Sequence, residues 1–119
     1  LDATVAENLA FWASFYGTQT LLSAALKFYD LQRYADTPAR ELSSGWQRRV
    51  ALARLILAPC KLWLLDEPTV SLDIASSDRL VAAVNDHTRT GGLAIVATHV
   101  PLALERARTL TIASQRMAA

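Results

Sequence analysis

The sequence predicts an α/β fold in which a helical first third is followed by βαβ units of a mostly parallel sheet. Three observations lead to this prediction. Apolar residues in the first third repeat at helical spacing, and residues 62–65 and 93–97 form two short apolar runs. Residues 74–89, which have helical spacing, separate the two runs. Apolar runs without polar alternation are typical of parallel strands covered on both faces, so we expect both strands to be buried.

The helical first third has clear start and stop signals. Thr4, followed three residues later by Glu7, forms a capping-box pattern that opens the first helix, and Gly17 closes it. A second helix is predicted at 21–29, and its pattern ends before Pro38. We therefore expect two helices before the character of the chain changes.

The remainder of the chain is predicted to carry the sheet. A third helix begins at Ser43 or Ser44 and is stopped by Pro59. On this basis residues 1–40 are expected to form a helical subdomain and residues 41–119 the C-terminal part of an α/β core.

The end of the chain gives weaker signals. Pro101 suits the first turn of a further helix, and residues 109–113 alternate as an edge strand does. Cys60 is the single cysteine, so no intrachain disulfide can form, and we expect it to be a small buried residue at the entry to the first strand.

Composition excludes several classes of function. The chain has 119 residues, 52% of them apolar, and its 12 basic and 11 acidic residues give a net charge of +1. Nucleic acids and anionic membranes are usually bound by clustered lysine and arginine, so no nucleic-acid partner is expected. No stretch approaches the roughly 18 uninterrupted apolar residues of a membrane span.

Two acids follow the first predicted strand directly. Asp66 and Glu67 lie where ligands bind in open α/β sheets, at the carboxyl end of a strand. One carboxylate there can hold Mg²⁺, while its neighbour orients or deprotonates a water that attacks a phosphate. The alternative is that these acids belong to a polar turn leaving the sheet.

The start of the third helix could bind an anion. Ser43, Ser44 and Gly45 open this helix without an acid in its first turn, and helix N-termini present unpaired N–H groups. The alternative is an ordinary cap, with Ser44 and Gln47 as a capping box and residues 48–49 on a solvated face.

Two further residues have both a chemical and a structural interpretation. His99 follows the second strand, where its imidazole could reach a phosphate or Glu67, or could simply be a loop or capping histidine. Asp73 could cap the helix at 74–89. His87, near the end of that helix, is assigned no role.

The order of these segments resembles the ATP-binding-cassette (ABC) ATPases over nearly the whole chain. The resemblance rests on four segments in sequence: residues 43–47, 62–68, 71–73 and 98–99. They correspond, in that order, to the family's signature, its Walker B motif with the catalytic glutamate, its D-loop and its H-loop. Within the family, the chain looks most like the ATP-binding subunits of cytochrome c biogenesis haem exporters. The resemblance implies a partial P-loop NTPase fold.

The resemblance also implies a role for each acid and for the histidine at the strand ends. Asp66 is the acid associated with Mg²⁺, Glu67 polarises the attacking water, and His99 contacts the γ-phosphate of ATP. The implied partners are a second ATPase subunit and membrane-spanning permease subunits. The implied location is peripheral, at the cytoplasmic face of the inner membrane.

The signature and the D-loop are implied to act across a dimer of ATPase subunits. Ser43, Ser44 and Gly45 contact ATP held by the second subunit, and Asp73 couples the two sites. The segment departs from the family's usual Leu-Ser-Gly-Gly-Gln, because Ser44 replaces the first glycine and Trp46 the glutamine.

A P-loop pattern, G-x-x-x-x-G-K-[ST], is absent from these 119 residues. We therefore expect a C-terminal portion of a transport ATPase that does not turn over ATP alone and whose apolar sheet edges favour association. Two alternatives remain at this point: a non-enzymatic module that binds a permease or cassette partner, and part of a soluble, non-transport ABC ATPase.

Overall fold

The computed structural model describes residues 2–112, which form helices and a parallel strand pair in the predicted order. The α-helices and strands follow one another as α1 (Val5–Tyr16), α2 (Leu22–Phe28), α3 (Ser44–Leu57), β1 (Leu62–Asp66), α4 (Ile74–Arg89) and β2 (Leu93–Ala97). Short 3₁₀ turns at Gln19–Leu21, Gln32–Tyr34 and Ala39–Glu41 connect the first three helices. The α/β prediction is confirmed.

Helix α1 begins and ends at the residues that its caps predict. The Thr4 side chain accepts a hydrogen bond from the Glu7 amide, and the Glu7 carboxylate accepts one from the Thr4 amide, each at 3.1 Å. Gly17 ends the helix with φ of 70°, a left-handed conformation that a residue without Cβ adopts at little cost. Hydrogen bonds from Thr4 lower the pKa of Glu7.

The first three helices share one apolar core. Helix α3 packs against both α1 and α2, and the side chains between them are fully buried or nearly so: Val5, Leu9, Ala13, Ala25, Tyr29, Leu31, Val50, Leu52, Ala53 and Leu57. At the end of α3 the Thr18 hydroxyl donates to the Leu57 carbonyl at 2.7 Å, which satisfies one of the carbonyls left unpaired at a helix end. The boundary at residue 40 stays a prediction.

The strands β1 and β2 pair in parallel, with Leu62 opposite Leu93 and Leu64 opposite Ile95. The expectation that both faces are covered is wrong for the described residues. Trp63 is buried, but Leu64 is 69% exposed and Ile95 is 61% exposed. The side chains alternate between two faces of the sheet, and α4 contacts β2 while the other face carries these large aliphatic groups.

Helix α4 connects the two strands and covers Trp63 with a histidine. The His87 ring stacks on Trp63 with centroids 3.9 Å apart and an angle of 4° between the planes. Its Nε2 bonds to the Lys61 carbonyl at 2.7 Å and donates the proton, since a carbonyl can only accept. A Cβ at Gly92 would overlap the His87 ring, so this glycine gives the imidazole its space.

Two expectations for the end of the chain are wrong. Residues 101–112 contain no helix at Pro101 and no strand at 109–112, and Ala113 lies outside the described residues. The Asn85 side chain instead accepts from the Glu105 amide at 2.9 Å and donates to the Ala103 carbonyl, which holds this backbone in a non-helical path.

Cys60 is exposed rather than buried, because it lies in the turn before β1 and not within the sheet. Across residues 2–112, every helix is too short or too polar to span a bilayer.

Candidate functional site

The two acids predicted from the sequence lie at the carboxyl end of β1. Asp66 is the last strand residue and is exposed, and Glu67 leaves the strand with φ of 45°. The Glu67 amide donates to the Ala97 carbonyl of β2 at 2.7 Å, so the backbone pairing of the sheet extends one residue beyond β1. A non-glycine residue in the left-handed region is strained, and such strain is concentrated at functional sites.

Glu67 and His99 are in direct contact. His99 Nδ1 lies 2.9 Å from Glu67 Oε1, within hydrogen-bond distance, although the two residues are 32 positions apart. The other carboxylate oxygen, Oε2, is buried and has no hydrogen-bond partner among residues 2–112. His99 itself is 77% exposed, so the pair lies at the surface of the described structure. The parallel pairing of β1 and β2 brings their following loops together, as the sequence predicts.

The residues around Asp66 fit a magnesium ion that is held mainly by waters and phosphate oxygens and only in part by the protein. Residues 2–112 contain no group of three or more side chains suited to bind a metal. Mg²⁺ bound with nucleotides commonly uses one or two carboxylates, together with waters and phosphate oxygens. The exposed Asp66 carboxylate is suited to that role.

Helix α3 begins as predicted, but Ser43 rather than Ser44 caps it. The Ser43 hydroxyl accepts from the Trp46 amide at 3.4 Å. The alternative capping box of Ser44 and Gln47 is wrong, because the Gln47 amide side chain donates to the Ala39 and Arg40 carbonyls. Ser44 is exposed.

Gly45 packs tightly against the turn that follows Glu67. A Cβ at this position would lie 2.7 Å from the Ser71 carbonyl oxygen, so the helix and the turn could not approach as closely with any other residue. Ser71 has φ of 65°. The two segments form a shallow cleft of about 130 Å³ lined by Ser43, Gly45, Trp46, Arg49, Ser71 and Asp73.

Asp73 connects the cleft to two helices. Its carboxylate accepts from the Ser76 amide at 2.8 Å, which caps α4, and contacts Arg49 of α3 at 3.1 Å. Hydrogen bonds from Ser76 lower the pKa of Asp73, and Arg49 and Arg79 contribute in the same direction. The capping interpretation is confirmed.

Trp46, at the position of the usual glutamine, contacts a second aromatic ring and an arginine. Its centroid is 4.5 Å from that of Tyr34, and the Arg49 guanidinium lies 4.0 Å above the ring, in the range of a cation–π contact.

The predicted site residues thus form two separate groups. Asp66, Glu67 and His99 lie together at the strand ends, while Ser43, Gly45 and Asp73 line the cleft at the start of α3. Ser44 borders a neighbouring depression.

Sequence reasoning missed the two arginines that follow the signature, and the solvated face suggested for residues 48–49 is wrong. The Arg49 side chain is only 12% exposed, and it donates to the Tyr29 carbonyl as well as to Asp73. Arg48 donates to the carbonyls of Asp66 and Glu67. The only signal in the sequence is the pair of adjacent arginines, whose partners lie between 18 and 24 residues away.

Comparisons with known proteins show the family of the chain. The family model described as "ABC transporter" matches residues 2–70. The chain is 48% identical over 113 residues to the cytochrome c biogenesis ATP-binding export protein CcmA of Cereibacter sphaeroides, covering 95% of this chain and 53% of that protein. It is 53% identical over 106 residues to CcmA of Gluconobacter oxydans, covering 89% of this chain and 49% of that protein.

The fold is also similar to solved structures. A dimeric bacterial ABC transporter cassette matches with a TM-score of 0.71 and 26% identity, covering 82% of this chain and 47% of that chain. The chain spans about half the length of the curated relatives it matches.

Proposed function

Because this chain belongs to the ABC transporter family, we propose that it is part of a transporter subunit that hydrolyses ATP. The chain supplies two parts of the nucleotide machinery: the strand-end group of Asp66, Glu67 and His99, and the start of α3. The observation that carries the proposal is the 2.9 Å contact between Glu67 and His99 at the carboxyl end of β1.

In this proposal Glu67 prepares the water that attacks the γ-phosphate. One carboxylate oxygen is held by His99, and the second, Oε2, is buried without a hydrogen-bond partner among residues 2–112, so it accepts a proton once a water enters the site beside it. Catalysis of phosphoryl transfer rests on positioning and electrostatics, so a fixed carboxylate beside an imidazole is suited to it. His99 contacts the γ-phosphate while it orients Glu67.

Asp66 holds Mg²⁺ through its exposed carboxylate, and the ion, when bound, neutralises charge on the phosphates. Ser43, Ser44 and Gly45 contact ATP bound by a second ATPase subunit, where the N-terminus of α3 provides a positive dipole end. The Ser71 carbonyl packs against Gly45, and Asp73 bonds to Arg49, so a change at the dimer interface would be transmitted to the turn after Glu67.

The transported substrate is proposed from the relatives alone. Several relatives at 44–53% identity carry the name cytochrome c biogenesis ATP-binding export protein. We therefore place the subunit in haem export for cytochrome c maturation. In this role residues 1–40 form the helical subdomain and 41–119 the C-terminal part of the ATPase core. The subunit is peripheral to the inner membrane, at its cytoplasmic face, through membrane-spanning permease partners.

A chimeric subunit tests this function. In it, the matched residues of this chain replace the corresponding segment of the Cereibacter sphaeroides relative. We expect the chimera to hydrolyse Mg·ATP and the Glu67→Gln variant to lose activity by about 100-fold or more, since an amide cannot accept the proton. Steady-state phosphate release measures both. An inactive parent chimera, or a Glu67→Gln variant as active as the parent, contradicts the proposal.

A further inference from the structure

Arg48 connects the start of α3 with the end of β1. Its Nη2 donates to the Asp66 carbonyl at 3.0 Å and to the Glu67 carbonyl at 2.7 Å. A single guanidinium nitrogen therefore contacts two consecutive peptide groups at the point where the strand ends. Arg48 lies one helical turn after Ser44, so the same helix start that we assign to the second subunit's nucleotide carries this contact.

The two carbonyls belong to a strained segment that needs support. Glu67 has φ of 45°, and its amide is held by the Ala97 carbonyl. Such a conformation persists where surrounding contacts fix it. Arg48 holds the carbonyl side of Glu67, Ala97 holds the amide side, and His99 holds the carboxylate. The Val70 amide of the following turn also donates to the Glu67 carbonyl, at 3.2 Å, and Arg48 is the contact that ties this carbonyl to helix α3.

The environment of Arg48 makes its hydrogen bonds effective. Its Nε is buried and has no partner among residues 2–112, and the side chain borders a cleft that is lined mainly by apolar residues and includes Pro68, which is fully buried. Hydrogen bonds from a charged donor are stronger than neutral ones, and the bond to the Glu67 carbonyl is also partly buried, which strengthens it further. Helix α3 is itself anchored in the core through Val50 and Ala53, so the arginine projects from a fixed element.

We infer that Arg48 is a positioning residue for Glu67. It holds the peptide that orients the carboxylate, and it ties the helix start that contacts one nucleotide to the acid that acts on the other. The inference rests on the proposed function, because Glu67 must act on water for its position to affect the rate. Misplacement by about 1 Å can cost about 100-fold in rate, even when it arises away from the reacting atoms.

The test uses the chimeric subunit and compares three variants. Arg48→Met removes the donor and keeps much of the side-chain volume. We expect kcat to fall about 10- to 100-fold while KM for ATP stays within about twofold, because binding does not use this contact. Arg48→Lys restores one donor and is expected to recover part of kcat. Arg54→Met is the matched control: Arg54 lies on the same helix, over Trp12 at 3.8 Å, away from both groups of site residues.

A double variant separates positioning from general structural support. If Arg48 acts through Glu67, Arg48→Met adds no further loss in a Glu67→Gln background, since the two changes disable one function. If the rate losses of the two single variants multiply in the double variant, the inference is overturned. An Arg48→Met variant with the parent's kcat, or one whose KM rises as much as its kcat falls, also overturns it.

Folding is checked for each variant by circular dichroism and gel filtration. Where Arg48→Met does not fold, Arg48→Gln and Arg48→Lys take its place, and parent-like kcat in both overturns the inference. Failure of the proposed function looks different, because in that case Glu67→Gln leaves the rate of the parent chimera unchanged.

Discussion

The helical part of the molecule and its two strands bury their apolar residues to very different degrees. Leu9, Ala13, Ala25 and Leu31 are fully buried between α1, α2 and α3. On the open face of β1 and β2, by contrast, large aliphatic side chains are more than half exposed at several positions, of which Leu64 at 69% is the most exposed. The helices thus form a core among themselves, while the strands are covered by α4 on one side.

This difference in burial separates the residues that stabilise the fold from the residues of the candidate site. Glu67 and His99 follow the less covered strands, and their geometry depends on contacts from elsewhere, including Arg48 of the well-packed helix α3. The start of α3 therefore belongs to both regions. We expect substitutions in the helical core to act on the free energy of unfolding and substitutions at the strand ends to act on the ATP hydrolysis proposed for the complete subunit.

The largest effect on stability is expected for Leu9→Ala. Leu9 is fully buried, so truncation leaves a cavity and loses transfer free energy, at a cost of about 3 kcal/mol in the free energy of unfolding. Urea unfolding followed by circular dichroism measures it. A loss under about 1 kcal/mol would mean that the helical core is not as well packed as its burial indicates.

An intermediate effect is expected for Tyr29→Phe at alkaline pH. Burial raises the pKa of the Tyr29 phenol, and the side chain is 1% exposed. A raised folded-state pKa means that stability is fully present below the unfolded value of about 10 and falls as pH rises above it, by up to about 1.4 kcal/mol per pH unit. Tyr29→Phe removes this decline. Urea unfolding across this alkaline range compares the two proteins, and parallel profiles would refute the assignment.

The smallest effect is expected for Leu64→Ala. It removes the same atoms as Leu9→Ala, but from a side chain that is 69% exposed, so the free energy of unfolding should change by less than about 0.5 kcal/mol. The same urea titration measures it at low protein concentration. A cost near that of Leu9→Ala would show that this face is covered in solution, for example by self-association, and repeating the titration across protein concentrations identifies that case.

Local signals in the sequence predicted much of the fold. The capping box placed the start of α1 after Thr4, and helical spacing placed α4 at 74–89, as observed. The position of Asp66 and Glu67 followed from the rule that ligands bind where parallel strands end.

Features that depend on distant partners could not be predicted in this way. Pro101 is compatible with a helix start, but the backbone that follows it bonds to the distant Asn85 side chain and is not helical. The prediction that both strands are buried was wrong, because an apolar run indicates that a strand can be covered on both faces and does not show that another element covers it. Arg48 and Arg49 were missed because their partners meet them only after α3 and β1 have packed together.

The stacking of His87 on Trp63 has a consequence for how this segment can diverge. The imidazole occupies the space that a side chain at Gly92 would need, so a larger residue at 92 requires a smaller or displaced side chain at 87. Among homologous sequences, the two sites should covary: alanine or serine at 92 should accompany a smaller residue at 87, and a library randomised at both should return histidine with glycine far more often than their separate frequencies allow.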